Sequence, residues 1–352
     1  MIAGSLGKII DYMIIGLACW KVGGVFSKNA RLTTHLGERI ATRTVTPLSE
    51  NLLHRHGLPM TRYQVAIEAA GGSRQETFYD FYARPRSNAR NGAPRILMLY
   101  HHGMGELPHD YTFHNLFFGS DPMVGADLVA LKATYHPPHL IPTPDSAYLA
   151  DAACWIEMMA DSVALAGHIA RRHRQDYDGV FLGGISLGGI IALAALAYDD
   201  CFDLYHPMMV GPNLPEQLRM SLFMHFTRAD VVASLEHDRE LEALNFLPAV
   251  EQHASRVHLI VGEHDPVFRI APIRLLAERL PELRLEVLPH AHITGCLAGE
   301  PIRVALFRRW RDWATGPRDR FKLQPAGAGP TMDAVGRSAP AAVSPVRSEG
   351  QP

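Results

Sequence analysis

Apolar positions along this chain follow two different periods. Residues 63–69 and 76–82 alternate apolar and polar side chains, with Gly71 and Gly72 between them, which predicts a β-hairpin. Residues 94–101, 127–131, 180–182 and 256–261 are short continuous apolar runs of the kind buried on both faces of a sheet. Residues 283–288 alternate again, and 203–210 make a further strand that Pro207 weakens by withholding a ladder donor. Between these runs apolar residues recur at helical spacing. Ala150, Cys154, Met158, Val163 and Ile169 mark a long helix, residues after 186 a buried one, and 302–313 an amphipathic one. Pro272 and Pro281 bracket a shorter helix. Strands alternating with helices over 61–315 predict one α/β domain with a mostly parallel sheet.

Three segments break this rhythm. Residues 211–255 are helical in pattern and carry Leu214, Leu218, Leu222, Phe223, Met224 and Phe226, as a small helical cap would. Residues 1–60 read as a helical and then irregular extension. Within it, apolar residues at 9, 10, 13, 14, 17 and 20 give a helix with a wide apolar face. The uncharged run from Tyr12 to Trp20 is too short to span a bilayer. Docking on the body, lying on a membrane surface and export all fit this segment, although Asp11 interrupts the apolar run that an export signal needs. If the helix is only an anchor, deleting residues 1–27 reduces membrane association and spares turnover of a soluble ester. Residues 316–352, rich in Pro, Gly, Ser and Ala, read as a disordered tail.

Composition narrows the function without naming it. The chain is 47% hydrophobic with a net charge of −2, which gives nucleic acid no attractive field. The four cysteines are scattered with no paired spacing, so a cytoplasmic protein is expected, with membrane association through residues 1–27. The 19 histidines form no zinc-binding pattern, and neither a metal nor another cofactor is expected.

The chemistry gathers around Gly184-Ile185-Ser186-Leu187-Gly188, which fits G-x-S-x-G between a short apolar strand and a buried helix. A sharp turn there exposes the Ser186 hydroxyl beside the free N–H groups of a helix start. Gly4-Ser5-Leu6-Gly7 looks similar but has no strand before it. A serine needs a base, and the base an orienting acid. Two later loops offer them after apolar strands: Glu263-His264-Asp265-Pro266 and His290-Ala291-His292. Asp265 and His292 are the preferred pair. Glu263, Asp203 and His290 are the alternates, and Cys296 is read as a packed thiol.

In the order Ser186, Asp265, His292 the chain resembles the α/β-hydrolase superfamily, over roughly residues 60–315. The resemblance implies a serine esterase or lipase-like enzyme. It also implies that His102-Gly103-Met104 follows the third strand of that fold, so that the Met104 and Leu187 N–H groups form the oxyanion hole. The implied substrate is a small or lipid-like acyl ester. Acyl transfer, thioester hydrolysis and a non-catalytic binding role on the same scaffold stay open.

Overall fold

The computed structural model describes residues 2–21, 26, 35–55, 57–83, 94–118, 126–136, 151–227, 229–230, 232–233 and 239–316. Among the described residues, nine strands form one sheet in the order β1-β2-β3-β5-β4-β6-β7-β8-β9. They are β1 (Thr44–Arg55), β2 (Leu58–Glu68), β3 (Arg74–Tyr82), β4 (Ile96–His101), β5 (Ala126–Leu131), β6 (Gly179–Ile185), β7 (Leu204–Met208), β8 (His258–Gly262) and β9 (Arg284–Leu288). The first three are antiparallel, and β3 joins β5 antiparallel. The pairs from β5 to β9 are parallel. This is the mostly parallel sheet of an α/β-hydrolase fold.

The central strands are apolar throughout because both faces are covered. In β4, Leu97 and Leu99 join one core while Ile96, Met98 and Tyr100 join the other. The first core packs under α4 (Ala152–His173) and α5 (Leu187–Tyr198). The second packs under α3 (Tyr111–Phe117) and the last helix, α10 (Gly299–Thr315), through Phe113, Phe117, Trp310 and Trp313. The strand 204–208 forms despite Pro207. Its β8 ladder is correspondingly thin, with Met208 opposite Ile260 and one bridge between Tyr205 and Val257.

One expectation needs correction. Residues 28–60 are not merely irregular: β1 pairs with β2 from Thr44 to Arg55, and α2 (Leu36–Ala41) precedes it. Strand β1 is exposed along most of its length on both faces, so no burial-driven alternation marks it in the sequence. The sheet therefore starts before residue 61, and β2 itself crosses that boundary. Helix α1 spans Ile2–Lys21. It docks on the body by its small and polar face. Asp11 and Ile15 are buried, whereas Leu6, Ile9, Met13 and Leu17 are more than half exposed.

The segment after β7 is helical, as expected, with α6 (Leu214–Met220) and α7 (Leu247–Gln252). Gln217 ties it to the loop after β8 by accepting the Arg269 N–H at 2.7 Å. Its apolar residues divide. Leu214, Leu222 and Phe246 are buried, and Phe223, Met224 and Phe226 are partly so. The tail 317–352 lies outside the described residues.

Candidate active site

Ser186 sits on the turn between β6 and α5 with φ 54° and ψ −111°. That backbone conformation is costly for a non-glycine residue, by about 1–3 kcal/mol, and its surroundings hold it. The Ser186 N–H donates to the Met208 carbonyl at 2.8 Å, pinning the turn to β7. Glycine is required beside it. A Cβ on Gly188 would lie 2.0 Å from the His101 carbonyl oxygen, and one on Gly184 would lie 2.5 Å from the Gly188 backbone. Helix α5 thus starts in backbone contact with the end of β4.

The loops after β4, β8 and β9 leave the same end of the parallel strands as Ser186. Strands β6 and β8 are two steps apart in the sheet, roughly 10 Å. The His292 imidazole fills that gap. Its Nε2 is 2.9 Å from Ser186 Oγ and its Nδ1 is 2.8 Å from Asp265 Oδ2. The other Asp265 oxygen accepts the Val267 and Phe268 N–H groups at 2.7 and 2.9 Å, which fixes the carboxylate plane. With Asp265 as the acceptor, Nδ1 is the protonated nitrogen and Nε2 is free to accept from Ser186. Burial opposes a charge on His292, yet the Asp265 charge and hydrogen bond outweigh it and raise its pKa, with a smaller contribution from Asp11.

The alternates lie elsewhere. Glu263 is exposed and pairs with Arg274 at 3.1 Å. Asp203 precedes β7, at the opposite strand end, where it accepts the Val180 N–H and pairs with Arg174. His290 contributes its carbonyl, which accepts the His264 N–H at 2.9 Å. Cys296 packs into the second core, and burial pushes its thiol well up, with nearby carboxylates adding to the effect. It is no thiolate at neutral pH.

Among the described residues, neither the Met104 N–H nor the Leu187 N–H donates to a protein acceptor. Leu187 is the first residue of α5, where no intrahelical partner exists. The Met104 peptide is oriented by side chains that sequence reasoning missed as site residues. His102 Nδ1 donates to the Gly103 carbonyl at 2.7 Å while its Nε2 accepts the Ala133 N–H at 3.1 Å. In a trans peptide the Gly103 carbonyl and the Met104 N–H point opposite ways, so holding one aims the other. Glu106 completes the clamp by accepting the Gly103 N–H at 2.8 Å and the Thr112 N–H at 2.6 Å. Burial raises the Glu106 carboxyl to about 7 even against these donors.

A third missed contact comes from α1. The Asp11 carboxylate accepts the His292 N–H at 2.7 Å and the Ile293 N–H at 2.8 Å. The N-terminal helix is therefore bonded to the turn that carries the candidate base. The idea that residues 1–27 are dispensable for turnover conflicts with this contact.

Asp80, His109 and Asp110 bring ligand-type atoms within 4.8 Å of one another. Arg62 already holds both Asp80 oxygens, at 2.7 and 2.8 Å, and Arg55 holds Asp110 at 2.6 Å. Arg62 and Arg55 thus supply positive charge to both carboxylates. A cavity of about 270 Å³ opens between α6 and α8 (Ile270–Arg279), lined by Pro212, Gln217, Leu247 and Leu276. Ser186, Asp265 and His292 do not line it.

No protein-family model matches the sequence, and no curated protein does. Solved structures do resemble the chain. An acetyl xylan esterase from Paenibacillus sp. R4 is 16% identical with a TM-score of 0.49, over 81% of this chain and 96% of its own. A peroxisomal alpha-beta-hydrolase from Saccharomyces cerevisiae is 17% identical with a TM-score of 0.46, over 83% and 93%. The Pyrococcus horikoshii acylaminoacyl peptidase is 13% identical with a TM-score of 0.47, and the match spans 80% of this chain but 43% of that one. Taken on its own strand order, and on a serine turn leading from a central parallel strand into a buried helix, the chain has the α/β-hydrolase fold.

Proposed function

We propose that the protein is a serine hydrolase that cleaves a carboxylic ester through an acyl-enzyme on Ser186. The observation that carries this is the continuous line from Ser186 Oγ through the His292 ring to Asp265, at 2.9 and 2.8 Å. His292 Nε2 takes the hydroxyl proton as Oγ bonds to the acyl carbon. The carbonyl oxygen becomes an oxyanion, which the Met104 and Leu187 N–H groups receive. His292 returns the proton to the departing alcohol oxygen as the carbon–oxygen bond breaks. Water, deprotonated by the same nitrogen, then releases the acid and restores Ser186. Asp265 keeps the ring in the productive tautomer throughout.

A fluorophosphonate probe tests the nucleophile. Wild-type protein is expected to label and Ser186→Ala is not. A folded wild type that stays unlabelled, or equal labelling of the variant, removes the proposal. An ester chain-length panel then ranks substrates. Lipid-like esters are expected to lead, because the partly buried Phe223, Met224 and Phe226 belong to the segment we read as a cap. Acyl transfer and thioester hydrolysis would draw on the same serine, and product analysis separates them.

The same proposal includes contact with a lipid surface through α1. The helix turns its one carboxylate inward and leaves Leu6, Ile9, Tyr12, Met13, Ile14 and Leu17 exposed. The other charged side chains in residues 1–34 are Lys8, Lys21, Lys28 and Arg31, all suited to an anionic surface. No helix among the described residues is long and apolar enough to cross a membrane. The double variant Met13→Glu, Leu17→Glu is expected to bind anionic vesicles about tenfold or more weakly in sedimentation. It should hydrolyse a short soluble ester within about twofold of wild type, since neither side chain faces the site. Unchanged sedimentation would defeat the surface role.

A further inference from the structure

Asp11 is fully buried, on a helix whose other described side chains are mostly exposed and apolar. Burying a carboxylate is unfavourable unless donors compensate it. Its two oxygens are each given to one donor, the N–H groups of His292 and Ile293. These are the first two N–H groups of α9 (His292–Cys296). A helix must cap such groups, and residue 291, the position from which a side chain usually does so, is alanine. Thr294 accepts the Ala291 N–H at 3.1 Å and leaves the next two unserved. The missing acceptor comes from 281 residues earlier in the chain. Close approach is built in: a Cβ on Gly7, one turn before Asp11, would lie 3.0 Å from Ala291 Cβ.

We propose that Asp11 is a positioning residue for His292, capping α9 from outside so that the imidazole stays between Ser186 and Asp265. It touches no substrate and acts through the histidine backbone. The inference rests on the serine-hydrolase proposal above. It makes α1 part of the catalytic apparatus rather than an appended anchor. It also places the exposed apolar face of α1 on the same helix that holds the base in register.

Asp11 acts on His292 in a second way, through its charge. The charges acting on the ring are those of Asp265 from the β8 loop and Asp11 from α1. Glu106 lies near Cys296 on α9. Both carboxylates at His292 favour its protonated form. His292 must be neutral to accept the serine proton, so removing the Asp11 charge moves the acid limb of activity to lower pH.

The test compares wild type, Asp11→Asn and Asp11→Leu as full-length proteins. It reads kcat/KM for a short soluble ester against pH, and the rate of fluorophosphonate labelling. Asparagine keeps one acceptor and leucine keeps none. Values of kcat/KM are expected to fall about 10-fold for Asp11→Asn and about 100-fold for Asp11→Leu, since a shift of an ångström at a reacting group costs that much. KM should change little, and the acid limb of Asp11→Asn should move down in pH. If Asp11→Leu does not fold, the near-isosteric Asp11→Asn decides alone. Wild-type rates with an unmoved acid limb in folded Asp11→Asn overturn the positioning role while labelled wild type leaves the hydrolase standing. An unlabelled wild type overturns both.

Discussion

His292→Ala is expected to lower kcat/KM for any turned-over ester by roughly 10³–10⁶-fold, and Asp265→Asn by about 10⁴-fold, with folding intact. His290→Ala should stay within about threefold. The two histidines are two residues apart, so a local disturbance of the loop would affect both alike. Geometry separates them. His292 holds the line between Ser186 and Asp265, whereas His290 is used through its carbonyl, which any residue supplies. The asparagine variant is nearly isosteric, yet its amide N–H₂ would meet Nδ1 as a donor. The ring would then protonate at Nε2, and a protonated Nε2 cannot accept from Ser186. Steady-state kinetics on the three variants with circular dichroism checks this. Loss of activity in His290→Ala with retention in His292→Ala would reassign the base.

Acidification is expected to unfold the protein between about pH 6 and pH 4.5, well before its carboxylates are fully protonated. Five histidines are buried and held neutral. Burial lowers His101 to about 4 and His136 and His258 to about 3, and drives His102 and His206 well below their usual value. All five have side chains at or below 5% exposed, so solvent screening is slight. The sign follows from where the protons go. The unfolded chain binds them below about pH 6.5 and the folded chain refuses them, so stability is complete above 6.5 and is lost as pH falls toward 4. One unit below 6.5, His101, His136 and His258 together cost roughly 4 kcal/mol, and His102 and His206 add in the same direction, against a total stability of about 5–15 kcal/mol for a typical domain. Glu106 works the other way. Its folded carboxyl sits at about 7, so protonating it between 7 and 4.5 returns roughly 3 kcal/mol. His292, raised instead of lowered, offsets a little more. The histidines still prevail. Tryptophan fluorescence against pH reads the transition, since Trp310 donates to His206 at 2.9 Å in this core. A cooperative thermal transition unchanged at pH 4.5 would show that these histidines do not govern acid stability.

Much of the site was visible along the chain because it is local. The G-x-S-x-G turn, the strand before it and the helix after it are fixed by adjacent residues and by the space that Gly184 and Gly188 leave. Apolar runs marked β4, β5, β6 and β8 because both their faces are buried. Strand β1 left no such mark, being exposed along most of its length and joined to the sheet by its pairing with β2. The pattern of α1 announced a helix with one apolar face but not which face docks. A sequence weighs how much apolar surface a helix carries and not what waits for its polar side.

What the sequence determined by itself was the fold class, the serine turn and a short list of acids and bases in workable order. It set these through local sterics and through the burial pattern that each strand and helix imposes on its own residues. Only the tertiary structure shows which of these groups meet. Whether His292 or His290 reaches Ser186, whether Asp265 or Glu263 faces inward, and that His102, Glu106 and Asp11 hold the loops in place all depend on contacts across the sheet. Such contacts are made by residues far apart in the chain, with no periodicity to connect them. Asp11, capping a turn 281 residues away, is the extreme case.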